Sequence, residues 1–140
     1  MVKIERLAGT ASRLYELVAP LVMNPDVLKQ NNGYPFKTSE AYVWFVGVDD
    51  DGLARGFMPV EIRTDNVVIN NYYVEKDDGQ LLQQLIRAVD KEFGKEYILR
   101  AVVHTRHVEI FEKNGFNTTK EWTLYRKMQK SNVTGKEKRL

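Results

Sequence analysis

His104 and His107 are the chain's only histidines and stand three residues apart. A neutral imidazole exchanges protons near pH 7, so this pair can serve acid–base chemistry. Two histidines at that spacing, with no cysteine and no acidic pattern beside them, fall far short of a metal-ligand set. No metal is expected. Further upstream, Tyr72 and Tyr73 are adjacent. Consecutive strand residues face opposite ways, so one should pack in the core while the other reaches a cleft. Next comes the polar run Glu75-Lys76-Asp77-Asp78-Gly79, followed by Leu81, Leu82, Leu85, Ile86, Val89 and Phe93 at helical spacing. A strand feeding a helix through a Gly-containing turn presents unpaired backbone N–H groups, a ready seat for an anion. The same turn fits a local role: Asp77 capping the helix, with Gln80 completing a capping box three residues on.

The elements that would position these groups follow from periodicity. Val2–Leu7 alternates as a first strand. Leu14, Leu17, Val18, Leu21 and Val22 form an amphipathic helical stripe, capped by Thr10 or Ser12. Pro20 should end or kink that helix near Ala19. Asn24-Pro25-Asp26 is a good start for a second short helix. Ala41–Val48 is apolar on both faces, as a central strand would be, and Asp49–Gly52 turns the chain into a partner strand, Leu53–Arg63. Pro59 marks an edge, bulge or irregularity in that strand. A strand from Val67 to Val74 leads into the helix, and Tyr97–Val103 is the next strand. His104–Asn114 is a helix with Gly115 past its end. Phe116–Lys120 and Trp122–Met128 are the last strands, with Trp44 and Trp122 both expected in the core. Three antiparallel strands and then a strand–helix–strand crossover imply a mixed sheet with helices on its faces.

A chain of 140 residues, 43% hydrophobic and 29% charged, fits one soluble domain with a real core. No apolar run approaches the roughly 20 residues of a membrane span, and no signal peptide is visible. With no cysteine, disulfides and thiolate chemistry are excluded, and the expected setting is cytoplasmic. The net charge of +2 is uneven: from Arg126 onward six basic residues meet one acid, Glu137. Residues 1–128 read as one domain, and 129–140 as a basic, disordered tail. Nucleic acid enters as a partner only through that tail.

The segment Val102–Phe116 resembles the last motif of the GNAT acyltransferase superfamily, a strand and then a helix ending in aromatic–acid–basic–x–Gly–Phe. Here that run is Phe111-Glu112-Lys113-Asn114-Gly115-Phe116. The order of elements agrees with the resemblance over residues 2 to 128. It implies an α+β fold layered α/β/α, with a mixed, mostly antiparallel sheet of about six to seven strands and helices on both faces. It also implies acetyl transfer from acetyl-CoA, as co-substrate, to a primary amine on a small molecule or protein. The amine attacks directly, with no covalent enzyme intermediate. The alternative is a catalytically degenerate GNAT-fold interaction module. The protein would be a monomer or homodimer.

In that superfamily the strand matching Val67–Val74 splays from the one matching Tyr97–Val103. The pantetheine arm lies between them, and the pyrophosphate sits on the turn before the helix. The residues implied for acetyl-CoA are Tyr73, Val74, Lys76, Gly79, Gln80 and Leu81, with His104 and Phe111 from the following strand and helix. The acceptor would approach from the side of Tyr34–Ser39. Three departures stand out. The family turn reads Arg/Gln-x-x-Gly-x-Gly/Ala, whereas Val74 and Asp77 replace its first residue and its first Gly. Phe111 replaces a Tyr that protonates the leaving thiolate. His104 replaces an Asn at the start of the next helix. His104 or Tyr73 would then supply the proton, and Glu61 or Glu75 would act as base.

Overall fold

A computed structural model describes residues 1–132 of the chain. In order it contains β1 (Lys3–Ala8), α1 (Ser12–Val22), α2 (Pro25–Gln30), β2 (Tyr42–Val48), β3 (Ala54–Ile62), β4 (Asn66–Ile69), β5 (Tyr73–Val74), α3 (Gly79–Phe93), β6 (Ile98–His104), α4 (Val108–Lys113), β7 (Asn117–Glu121) and β8 (Tyr125–Lys130). The eight strands make one sheet, ordered β1-β2-β3-β4-β6-β8-β7, with β5 paired only to β3. Every pairing is antiparallel except β4 with β6, which α3 connects as a crossover. This is the layered α+β fold expected, with eight strands instead of six or seven. The extra strand arises because the segment 67–74 breaks in two at Asn71, whose φ is 57°. Asn tolerates that left-handed backbone better than most residues.

Pro59 belongs to the same break. On one side β3 pairs β5 through Gly56 and Phe57, and pairs β4 through Val60 to Ile62. Met58 and Pro59 therefore face the interruption, where a missing N–H costs no ladder bond on that side. The irregularity read from Pro59 is thus a gap in the neighbouring strand.

Alternation along the strands sorts the core into two layers. Val43, Phe45, Met58 and Val60 face α3 and α4, while Trp44, Val46 and Phe57 face Leu14, Leu17 and Val18 of α1 and Val27 of α2. All six apolar residues of the α3 stripe are buried. Two glycines let α3 sit close to the sheet. Gly47 and Gly56 are directly opposite each other in β2 and β3. A Cβ on Gly47 would lie 2.7 Å from Leu81 Cδ1, and one on Gly56 3.0 Å from Leu81 Cδ2 and 2.7 Å from the Tyr73 carbonyl oxygen of β5.

Several local expectations change. Neither Thr10 nor Ser12 caps α1: the helix starts at Ser12 behind Ala11, with no side-chain cap. It also runs past Pro20 to Val22. Pro20 falls in the last turn, so little helix remains for it to disrupt. Asn24 does cap α2, accepting from the Asp26 N–H at 2.8 Å. α4 is shorter than expected because Thr105–His107 form a separate 3-10 turn. Gly115, with φ 91°, ends α4, and the Phe116 N–H closes back on the Phe111 carbonyl. Trp44 is 2% exposed, but Trp122 is 44% exposed in the β7–β8 turn and is not core. β8 continues to Lys130, two residues beyond the expected domain boundary. The expected disorder of the tail's remainder, 133–140, lies outside the described residues. β7 forms one edge of the sheet, with a register shift between Thr118 and Lys120. No helix among the described residues is long and apolar enough to cross a membrane.

Candidate functional site

β4 and β6 run side by side from the Asn66–Ile98 pair to the Ile69–Ala101 pair. Beyond that point β6 continues to His104, while the other chain turns at Asn71 and rejoins the sheet against β3 alone. A wedge opens between them, and the Tyr72 side chain spans it. The Tyr72 hydroxyl oxygen accepts from the His104 backbone N–H at 3.2 Å and lies 2.8 Å from His107 Nδ1. His107 Nε2 is in turn 2.9 Å from Asp77 Oδ1, which also accepts from Arg106 Nε at 3.0 Å. One proton assignment satisfies this chain: Tyr72 O–H donates to Nδ1, and Nε2–H donates to Asp77.

The electrostatics agree with that assignment. Burial, and then the Arg106 charge, hold the His107 pKa below its ordinary value despite the bond to Asp77. Burial, and then Arg106 and His107, push His104 down to about 4. Both imidazoles are therefore neutral at pH 7. Burial pushes the Tyr72 phenol far up, so it keeps its proton. Burial also raises Asp77, but Arg106 and His107 more than offset this and its net shift is downward. The row is a neutral Tyr–His relay ending on a carboxylate–guanidinium pair. His104 Nδ1 is buried and has no hydrogen-bond partner among the described residues.

These shifts set a stability profile. The His104 pKa is about 4 in the folded chain, below the ordinary imidazole value of about 6.5. Between those values the unfolded chain binds more protons, so stability rises with pH there. The contribution is complete above about pH 6.5 and is lost as pH falls through the folded value near 4. His107 shifts in the same direction. The thermal midpoint should therefore fall from pH 7 to pH 4, and fall less in His104→Gln. Equal slopes in the two proteins would remove His104 as the cause.

The turn before α3 differs from the expected one by a residue. Lys76 and Asp77 both take positive φ, 54° and 53°. That twist sends Asp77 toward Arg106 and His107 and leaves Asp78 as the cap. Asp78 Oδ1 accepts from the Gln80 and Leu81 N–H groups at 3.0 and 3.1 Å. The expected Asp77–Gln80 capping box does not form, and the donors an anion would use already face a carboxylate. Gly79 is the first residue of α3, where a Cβ would lie 3.2 Å from Ile110 Cδ1 of α4.

The loop after α2 is fastened over the same end of the sheet. Asn31 Nδ2 donates to Asn71 Oδ1 at 3.0 Å, Asn32 Nδ2 to the Tyr125 hydroxyl at 2.8 Å, and Arg106 to the Gln30 carbonyl at 3.3 Å. A hollow of about 350 Å³ opens beside it, lined by Tyr34, Lys37, Asn71, Val102, Trp122 and Tyr125 among others.

No family model matches this chain, and no curated protein matches it in sequence. Solved structures do match. ElaA of Escherichia coli aligns with a TM-score of 0.72 over 94% of this chain and 100% of its own, at 14% identity. The ribosomal-protein-S18-alanine N-acetyltransferase of E. coli gives 0.66 over 98% and 97%, at 16% identity. A GNAT family acetyltransferase from Elizabethkingia anophelis, solved with acetyl-CoA bound, gives 0.56 over 93% and 97%, at 13% identity. The chain has the GNAT fold. The resemblance read from the element order and the end motif therefore holds at the level of the fold.

Within the GNAT fold the candidate residues scatter. His104 sits at the end of β6, not on a helix, and borders the relay through its N–H and through its ring, 5.4 Å from that of Tyr72. Tyr73 lies on the opposite face of the sheet from Tyr72, packed against Phe57 at 5.7 Å. Glu61 is bonded to Arg63 at 2.9 Å, and Glu75 to Arg55 at 3.1 Å. Of Glu61, Tyr73 and His104, only His104 meets the wedge. Among the residues expected at the cofactor, Val74, Leu81 and Phe111 are buried, whereas Lys76 and Gln80 are exposed. Phe111 packs against Phe116 at 5.2 Å and against Tyr72 at 5.8 Å. Sequence reasoning missed the Tyr72–His107–Asp77–Arg106 unit. Tyr72, His107 and Asp77 are each visible singly in the sequence, but not their joining with Arg106. Arg106 and His107 come two and three residues after the end of β6.

Proposed function

We propose that the protein is an acyl-CoA-dependent N-acyltransferase that moves an acetyl group to a primary amine by direct attack. The reading is carried by the Tyr72 hydroxyl, which bridges the wedge to the end of β6 beside the ring of Phe111. It supplies the hydroxyl that the resemblance leaves missing at Phe111. The Tyr72 side chain is 2% exposed, so contact with the amine requires the wedge to part around it. In the reaction a C–N bond forms, the thioester C–S bond breaks, and the amine's proton ends on sulfur. Tyr72 carries that proton. Its oxygen takes the proton from the amine as its own passes to His107 Nδ1, and Asp77 holds the imidazolium. The proton then returns through Tyr72 to the leaving sulfur. A neutral His107 is the state this role requires.

A second reading, a GNAT-fold binding module without acyl-CoA, is favoured by one observation. The Asp78 carboxylate occupies the first N–H groups of α3, and a pyrophosphate there would meet like charge. Calorimetric titration with acetyl-CoA, with free CoA as control, separates the two. Micromolar binding supports the enzyme; none at millimolar cofactor sinks it. Asp78→Ala sharpens the test. Losing the cap should cost about 0.5–2 kcal/mol of stability. If the turn receives pyrophosphate, the same change should tighten acetyl-CoA binding. Weaker binding by a folded variant would exclude the turn as the phosphate seat.

A further inference from the structure

We propose that the acceptor is a primary amine bearing an acidic group, phosphate or carboxylate, bound in a basic groove on the sheet beside the wedge. This deepens the acyltransfer reading and rests on it for the fate of the amine. A groove of about 480 Å³ runs over the face of β4, β6 and β8 and is lined by Arg63, Val68, Arg100, Val102, Trp122 and Lys127, among others. Asn70, Val102 and Trp122 line both this groove and the hollow beside the loop after α2, so the two adjoin. Val102 brings the groove to the wedge, and Asn71 stands there in the adjoining hollow.

The groove itself is cationic. Lys120 of β7 is directly opposite Lys127 of β8, and Lys127 is opposite Val102. Arg100, two residues along β6 on the same face, is the diagonal neighbour of Lys127. Directly opposed like charges destabilise a sheet. None of these three cations has a carboxylate within ion-pair distance among the described residues, whereas Arg63 has Glu61. Lys120 Nζ lies 5.3 Å above the ring of Trp122, which walls the groove. An anion lodged here would relieve the repulsion. Two residues of strand separate Arg100 from Val102, about 7 Å, so one small molecule can hold its acid on the cations and its amine at the wedge.

Trp122 reports on the groove directly, because Trp44 is buried in the core. Fluorescence titration without acetyl-CoA should use O-phosphoethanolamine, β-alanine and ethanolamine. The expected result is a saturable change with one or both acids and none with ethanolamine, competed by inorganic phosphate. Whichever acid binds more tightly identifies the phosphate or the carboxylate as the natural group. Arg100→Gln and the exposed Lys127→Ala should each weaken that binding by about tenfold, the worth of a charge-assisted hydrogen bond. Equal responses to O-phosphoethanolamine and ethanolamine, or wild-type affinity in folded Lys127→Ala, would overturn the groove. Acetyl-CoA titration fails or succeeds separately. If acid-selective binding persists without any acetyl-CoA binding, the anion site stands and acyl transfer falls.

Discussion

Tyr72→Phe should lower acyl transfer by about 10²- to 10⁴-fold, the usual worth of a positioned acid–base group. It should also cost about 1–3 kcal/mol of stability. The second effect follows from the loss of one oxygen. That oxygen satisfies the His104 N–H, and its proton satisfies His107 Nδ1. Both groups are buried, and burial without a partner carries the desolvation penalty in full. A purely structural role predicts the stability loss alone, with turnover unchanged once the folded fraction is corrected for. A proton-carrying role predicts a fall in kcat with acetyl-CoA affinity near wild type, and a changed pH profile on the acid side, where His107 titrates. Full turnover in folded Tyr72→Phe would remove the relay from the mechanism.

Phe111→Ala should cost about 3–5 kcal/mol, the range for deleting a buried aromatic side chain. Phe111 is 0% exposed and touches Phe116 and Tyr72 by ring contact. Small domains are stable by about 5–15 kcal/mol in total, so the loss is a large share. Denaturant unfolding measures it; a loss under about 1 kcal/mol would mean that the site collapses around the void. Phe111→Tyr probes the same position differently. Its added hydroxyl would enter a packed apolar layer, so it should destabilise rather than improve turnover. A more active Phe111→Tyr would show that the leaving group sits nearer α4 than Tyr72 places it.

The parts of this fold that were legible in the sequence are those written in local pattern. The double-faced apolar run of β2, the stripe of α3, the Asn24 cap and the glycine after α4 each depend on residues within a turn or two of one another. The wedge was marked less directly. Pro59 announced an irregularity, but the break lay across the ladder at Asn71, and pairing between strands is not a local property. The choice between Asp77 and Asp78 as cap turned on two consecutive left-handed residues, Lys76 and Asp77, which neighbouring types do not dictate. The relay joins Tyr72 to a histidine 35 positions away, a distance over which no spacing rule operates. Trp122 reads as the start of the last strand by type, yet it sits in a turn because β8 begins only at Tyr125.

The bulge in β7 has a consequence for how copies of this protein meet. An edge strand offers unpaired backbone groups to any other strand that can lie flat against it. Here the edge reads Asn117-Thr118-Thr119-Lys120-Glu121, almost wholly polar, and its register slips midway. A second β7 laid alongside would meet an uneven ladder and a lysine already crowded by charge. At the far edge, β1 carries Lys3, Glu5 and Arg6. Both rims of the sheet thus resist edge-to-edge growth into larger sheets and aggregates. A homodimer joined through either rim would carry the same mismatch.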